Sequence, residues 1–123
     1  MANLNKNFSV RSAAILTTGE VDGAVFDLDQ AWGHGASAKI NFTLGSLTNG
    51  IFRFYVSDDG TNWFTLLGVN GGSLTQTLTA NGTISVPILA LGWKSLKISV
   101  QGTGTVTSSS ATVSINYCKR GAF

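Results

Sequence analysis

The sequence has little cysteine, histidine and proline, with one residue of each among its 123. A single cysteine, Cys118, cannot form a disulfide within the chain, so packing alone must hold the fold together. One thiol and one imidazole, His34, do not make a usual set of zinc ligands. Cys118 is therefore predicted to be a buried or half-buried structural residue, and its reduced state fits assembly in a reducing cytoplasm. A catalytic thiol is the less favoured alternative.

Charge is also scarce, at 11% of residues where about 25% is usual. The net charge is +2 and the basic residues are scattered along the chain, which argues against a nucleic-acid surface. Solubility must come from serine, threonine, asparagine and glycine. A surface of this kind repels partners weakly and suits a protein that works in an assembly.

Long apolar runs and helical patterns are missing as well. No stretch approaches the roughly 20 apolar residues of a membrane span, and no apolar segment follows a basic start, so no signal peptide is expected. No window repeats apolar residues at the spacing of a helix face. These features exclude membrane and helical classes and leave a β protein as the prediction.

Apolar and polar side chains alternate instead in short runs between glycine-rich turns. In one such run Ile40 and Phe42 face one side while Lys39 and Asn41 face the other, as successive residues of a pleated strand do. The run around Pro87 is expected at a sheet edge or crossing, because proline cannot donate to a ladder. The predicted strands are residues 8–16, 21–28, 36–44, 51–57, 62–67, 74–78, 83–86, 95–101 and 111–117, with a loop at 31–35 and an ambiguous segment at 88–92.

Eight or nine short strands with hairpin-length links predict an all-β fold, an antiparallel β-sandwich of jelly-roll type. A closed barrel is the alternative, whereas a parallel sheet would need longer crossovers. The predicted division is an N-terminal arm at residues 1–7, the sandwich domain at 8–117 and a C-terminal tail at 118–123.

Acidic residues are the first candidates for chemistry. Paired carboxylates at Asp58 and Asp59 could hold a cation, but the residues before Gly60 are also those of a tight turn, which is the favoured interpretation. Asp27 and Asp29 share a strand face and, together with Glu20 and Asp22, could make an acid pair for glycoside hydrolysis. A solvated strand end or a salt-bridged patch is favoured over glycoside hydrolysis.

The remaining candidates are His34 and the tryptophans. A Ser-His-Asp triad is possible, but the sequence contains no Gly-x-Ser-x-Gly turn to support one. His34 is therefore predicted to lie in a loop and to have no catalytic role. Trp32, Trp63 and Trp93 could make a sugar-stacking platform, although tryptophan at strand ends more often fills a core or an interface. No catalytic residue, metal site or cofactor is predicted.

Two segments carry resemblances to known families. Residues 54–63 read FYVSDDGTNW, and a strand ending in Ser-x-Asp-Gly-x-x-Trp resembles the hairpin of discoidin-like and other carbohydrate-binding β-sandwiches. More broadly, the start MANLNK before FSVR, the segment NFTLGSLT at 41–48 and the segment LKISVQGTGTVT at 96–107 occur in the order seen in small tailed-phage virion proteins. The chain resembles that family over most of its length.

The resemblance implies a virion structural protein, in particular a capsid decoration (cement) protein on the phage head, assembled in the host cytoplasm. Its partners would be the major capsid protein and further copies of itself, as a dimer or trimer, with no nucleic acid and no membrane. A tail, baseplate or fibre component with a carbohydrate-binding face is the alternative, followed by a free carbohydrate-binding module or a small enzyme. The residues expected to contact partners lie in the two terminal segments: Met1, Ala2, Asn3, Leu4, Lys6, Lys119, Arg120 and Phe123.

Overall fold

The computed structural model describes residues 4–68, 71–90 and 92–119, and leaves the side chains of residues 4, 5, 30, 32–35, 89 and 119 undescribed. Within these ranges the chain is almost entirely β, with one short 3₁₀ turn at Leu28–Gln30 and no α-helix. The strands are β1 (Leu4–Ala14), β2 (Val21–Asp22), β3 (Phe26–Asp27), β4 (Ala31–Thr43), β5 (Leu47–Ser57), β6 (Phe64–Thr65), β7 (Thr75–Leu78), β8 (Gly82–Leu89), β9 (Ser95–Gly104) and β10 (Ser110–Lys119).

The strands form two sheets in which every pairing is antiparallel. Sheet A has four strands in the order β1-β10-β4-β8. Sheet B has six strands, with β9 and β5 at its centre, β2 and β3 along β9, and β6 and β7 along β5. In the described chain no strand ladder joins the sheets. The predicted antiparallel all-β sandwich is confirmed.

The core lies between the two sheets and follows the predicted alternation. Phe42 of β4 and Phe52 of β5 are both buried and meet edge to face, with ring centroids 5.8 Å apart at 88°. Phe26 packs against Phe8 and Tyr117 at the other end, at 5.2 and 4.8 Å. Such aromatic contacts across the layers add to the burial of apolar area, the main stabilising term in a domain without disulfides.

The second predicted strand is divided in the structure. Gly23 donates its N–H to the carbonyl of Ile98 in sheet B, and Ala24 donates to the carbonyl of Val10 in sheet A, both at 2.9 Å. The chain therefore crosses between sheet edges at this point. Only one short strand remains on each side of the crossing. A Cβ at Gly23 would lie 2.4 Å from Val10 Cγ1, so no larger residue fits the crossing.

The predicted loop at residues 31–35 is wrong, because these residues form the first part of β4. Ala31 pairs with Lys119 of β10 and Gly35 pairs with Leu89 of β8. Glycine weakens a strand by its backbone freedom, but pairing on both sides of β4 holds this segment extended. The predicted strand at 62–67 shortens to Phe64–Thr65, with an isolated bridge from Leu67 to Ser73.

Strand β8 runs through Pro87, where the sequence predicted an end at residue 86 and an ambiguous segment after it. Proline is tolerated because β8 pairs with β4 alone and lies at the edge of sheet A. The expectation of an edge at Pro87 is confirmed.

The predicted arm and tail need a correction where the structure describes them. Residues 4–7 belong to β1, and Cys118 and Lys119 belong to β10, so the strands extend past the predicted boundaries at 8 and 117. Leu4 pairs with Lys119 and Lys6 with Tyr117. The two segments are extended because each supplies the backbone partners of the other. Residues 1–3 and 120–123 lie outside the described range.

Candidate functional site

The residues predicted to bind partners meet at one end of sheet A. Leu4 lies opposite Lys119, and the exposed Lys6 follows two residues later on the same strand. The structure thus brings together three members of the predicted set, two of which, Leu4 and Lys119, are 115 positions apart in the chain. The other members, Met1, Ala2, Asn3, Arg120 and Phe123, lie outside the described residues.

An open groove lies at this end of sheet A. Its volume is about 590 Å³, and it spans strands β1, β10 and β4. The side chains of Asn7 and Asn116 meet across it, with Asn7 Nδ2 donating to Asn116 Oδ1 at 2.6 Å. The groove is lined by Lys6, Asn7, Ala36, Ser37, Asn116, Tyr117 and Cys118.

The groove offers neutral hydrogen-bonding groups and one cation rather than reactive chemistry. Sequence reasoning found Lys6 but missed Asn7, Ser37 and Asn116, because these become neighbours only when β1, β10 and β4 pair. The sequence signal that these residues share is the alternation of polar and apolar side chains along each strand. This pattern does not show which strands lie side by side. Cys118 is half-buried, as predicted for a structural cysteine.

Acidic residues that could have formed a catalytic pair are bonded to basic side chains on the outer face of sheet B. Glu20 accepts from Arg53 Nη1 at 3.0 Å and from the Tyr55 hydroxyl at 2.8 Å. Lys97 donates to Asp22 Oδ2 at 3.1 Å. Partial burial, with the bond to Glu20 and its charge, raises the pKa of Tyr55 above its usual value, so the phenol remains a donor at neutral pH. These contacts form a salt-bridged patch, which the sequence favours over a catalytic acid pair.

Two other acidic residues, Asp27 and Asp59, have structural roles. Asp27 Oδ1 accepts the N–H of Asp29 at 3.0 Å and caps the 3₁₀ turn. Asp59 Oδ1 accepts the N–H groups of Thr61 and Asn62, both at 2.8 Å, and these bonds lower its pKa. Within the described part of the chain no group of three or more His, Cys, Asp or Glu could hold a metal ion. The interpretation of residues 58–60 as a turn agrees with this geometry.

The two tryptophans whose side chains are described, Trp63 and Trp93, do not form one open platform for sugar stacking. Lys97 Nζ lies 4.6 Å from the centroid of the Trp63 ring and covers it by a cation–π contact. Trp93 packs against Phe64 with centroids 5.6 Å apart, and Phe64 is 51% exposed. The side chains of Trp32 and His34 lie outside the description. In the described ranges, no helix has the length and apolar content needed to cross a membrane.

Comparison with known proteins identifies the fold but assigns the chain to no family. No protein family and no curated protein matches the sequence. The structure is similar to that of the SPBc2 prophage-derived protein YomS, with a TM-score of 0.58, 20% identity and coverage of 94% of this chain and 95% of that one. It is also similar to a subunit of the Bacillus endospore appendages, described as disulfide-linked pili, with a TM-score of 0.52, 10% identity and coverage of 97% and 90%. At these identities the similarity establishes a shared β-sandwich fold.

Proposed function

We propose that this chain is a structural protein of a bacteriophage particle, a capsid decoration protein that binds and stabilises the shell of the major capsid protein. The observation that carries the proposal is the end-to-end similarity of fold to a prophage-derived protein, over 94% of this chain and 95% of that one. The order of sequence segments, which resembles small tailed-phage virion proteins, points the same way.

The surface supports a role in binding other proteins rather than in catalysis. The side chains of Glu20, Asp22, Asp27 and Asp59 are bonded into ion pairs, a cap and a turn. The groove at the end of sheet A is lined by neutral side chains, apart from Lys6. A decoration protein must bridge neighbouring subunits, and neutral hydrogen-bonding groups can do so without a large desolvation cost for buried charge. The proposal involves no catalysis, cofactor, nucleic acid or membrane.

The proposed partners are the major capsid protein and further copies of this chain. The terminal end of sheet A is the proposed contact with the shell, because Lys6, Leu4 and Lys119 meet there beside the groove. The proposed location is the outer surface of the phage head, after assembly in the host cytoplasm.

The alternative is a tail, baseplate or fibre component with a carbohydrate-binding face. One observation favours it: Phe64 is half-exposed and packs against Trp93, which leaves an aromatic surface at the edge of sheet B. Aromatic rings of this kind serve sugar stacking as well as protein contact.

Immunogold electron microscopy of particles from cells that carry the gene tests the proposal. Antibody against the purified chain should label the heads, and particles assembled after deletion of the gene should lose the label. Labelling of tails would select the alternative. Intact particles without label, with the protein left in the supernatant, would overturn both.

A further inference from the structure

We infer that two copies of this chain associate through β1, whose free edge pairs antiparallel with the same edge of the second copy. The inference deepens the proposed function and rests on its expectation of self-association. Its test uses purified protein without particles, so a negative result would leave the assignment to the particle intact.

Three of the four sheet edges are poorly suited to pairing. Strand β8 carries Pro87, which lacks an N–H group. The β9 side of sheet B ends in β2 and β3, of two residues each, and the β5 side ends in β6 and β7, of two and four residues. Short strands and proline are the usual protection of sheet edges against association.

Strand β1 has none of these protections in its first half. It is 11 residues long, contains neither proline nor glycine, and pairs in the described chain with β10 alone. Its register with β10 is regular from Leu4 to Ser9, and the irregularities begin only after Ser9. One exposed cation, Lys6, is the single protective feature of this segment.

The direction of the free backbone groups follows from the register of Pro87. A proline at a sheet edge turns its nitrogen to solvent, so Ser37, which pairs with Pro87, directs its backbone groups to Asn116 of β10. Asn116 therefore directs its own groups to β4 and away from Asn7, its partner on β1. Successive residues of a strand direct these groups to opposite edges. Asn7 therefore directs its N–H and carbonyl to the free edge, where no described backbone group bonds to them, and the residues on either side of it bond to β10. Val10 lies in the register shift between Ser9 and Arg11, where its carbonyl accepts the N–H of Ala24.

This geometry selects a register for the pair. Because Ala24 closes the edge at Val10, the open segment available to a second copy is centred on Asn7. A two-fold axis at Asn7 places Lys6 opposite Phe8 of the second copy, where ammonium and ring attract each other. A register with Lys6 opposite itself would bring like charges together, which is unfavourable. Sheet A of each copy would then continue into the other.

The neighbouring surface fits the same contact. Val25 is 50% exposed and directly follows Ala24, at the point where the free edge closes. In the register centred on Asn7, the backbone of Leu4 of the second copy lies at the level of Val10, close to this valine. Association would then cover an apolar side chain together with the free backbone groups.

Sedimentation velocity of the purified full-length chain over a range of concentrations tests the inference. The wild type should form dimers. Asn7→Pro removes an N–H that faces the free edge and leaves the ladder with β10 intact, so it should weaken dimerisation about tenfold or more. The matched control is Ser85→Pro, two residues before Pro87 on the other free edge of sheet A, which should leave dimerisation unchanged. Circular dichroism verifies that each variant is folded.

A second measurement does not depend on a proline variant. In a Cys118→Ser background, Asn7→Cys should form a disulfide-linked dimer on mild oxidation, because residues directly opposite each other in an antiparallel pair, with Cα atoms about 5.5 Å apart, lie within disulfide reach. Thr83→Cys, exposed on β8, is the control and should remain monomeric. A wild type that is monomeric at every concentration, or cross-linking of Asn7→Cys no faster than that of Thr83→Cys, would overturn the inference.

Discussion

Asp59 organises the turn after β5 through both of its carboxylate oxygens. Oδ1 accepts the N–H groups of Thr61 and Asn62 and the hydroxyl of Ser57, and Oδ2 accepts from Asn62 Nδ2 at 2.7 Å. Hydrogen bonds to the ionised form lower the pKa of this carboxyl below its usual value. The unfolded chain binds the proton more readily than the folded chain, so ionisation of Asp59 stabilises the fold.

Replacement of this carboxylate should therefore have an effect that depends on pH. Asp59→Asn should unfold at a lower temperature than the wild type at neutral pH. The difference should shrink once the pH falls below about 4, the ordinary aspartate pKa, and continue to shrink toward the lowered value. Thermal unfolding followed by circular dichroism across this range measures it.

The adjacent Asp58 provides the control for that experiment. Its carboxylate makes none of the turn contacts of Asp59, so Asp58→Asn should match the wild type across the pH range. An equal effect of both variants would show that general charge, and not the turn geometry, is responsible.

Single residues show both the reach and the limit of sequence reasoning. The Asp-Asp-Gly pattern predicted the turn, and Gly60 adopts a φ of +78°, which favours glycine. The role of Gly50 was not visible, because a Cβ there would lie 2.5 Å from Phe42 Cε1 on the facing sheet. A contact between residues on different sheets leaves no local signal in the sequence.

At the scale of strands, alternation was reliable where a strand has one buried face. The predicted faces of β5 agree with the structure: Phe52, Phe54 and Val56 are buried, and Arg53 and Tyr55 are only half-buried. The prediction was wrong at residues 31–35, where glycine suggested a loop and pairing on both sides of β4 maintains a strand. Tertiary pairing outweighs local propensity in such segments.

The extent of β1 and β10 changes the design of a truncation experiment. Removal of residues 1–3 and 120–123 leaves every described strand complete, so the fold should be kept while binding to particles assembled without the protein should weaken. Removal of residues 1–7 also deletes the partners of Asn116, Tyr117 and Cys118, so it should lower the unfolding temperature as well. Co-sedimentation and thermal unfolding separate the two effects. Undiminished binding of the shorter truncation would reject residues 1–3 and 120–123 as contacts.

At the scale of the molecule, the two-layer architecture could be predicted and the strand order could not. Composition, turn spacing and alternation indicate a sandwich, but β10 pairs with β1 and β4, from the other end of the chain. Many registers bury the same alternating side chains, and only the complete packing of both layers distinguishes them. The groove was missed for this reason, since it is formed by strands that are neighbours in space alone.

The low charge of the whole molecule makes the response to salt a test of how it binds. Two of the acidic side chains, Glu20 and Asp22, are neutralised by Arg53 and Lys97, and the net charge of the chain is +2. Raising the salt from about 0.1 M to about 1 M shortens the Debye length from roughly 10 to 3 Å and would suppress an attraction between opposite charges. Contacts made by neutral polar groups and covered apolar area should change little.

Binding to particles assembled without the protein should therefore be almost the same at both salt concentrations, as measured by co-sedimentation at several protein concentrations. Lys6→Gln is the informative variant, because Lys6 is the one cation among the residues that line the groove. If its attraction to the shell were essential, the variant and high salt would weaken binding to a similar extent. A loss of about tenfold in either case would show that charge, rather than neutral contact, holds the protein on the particle.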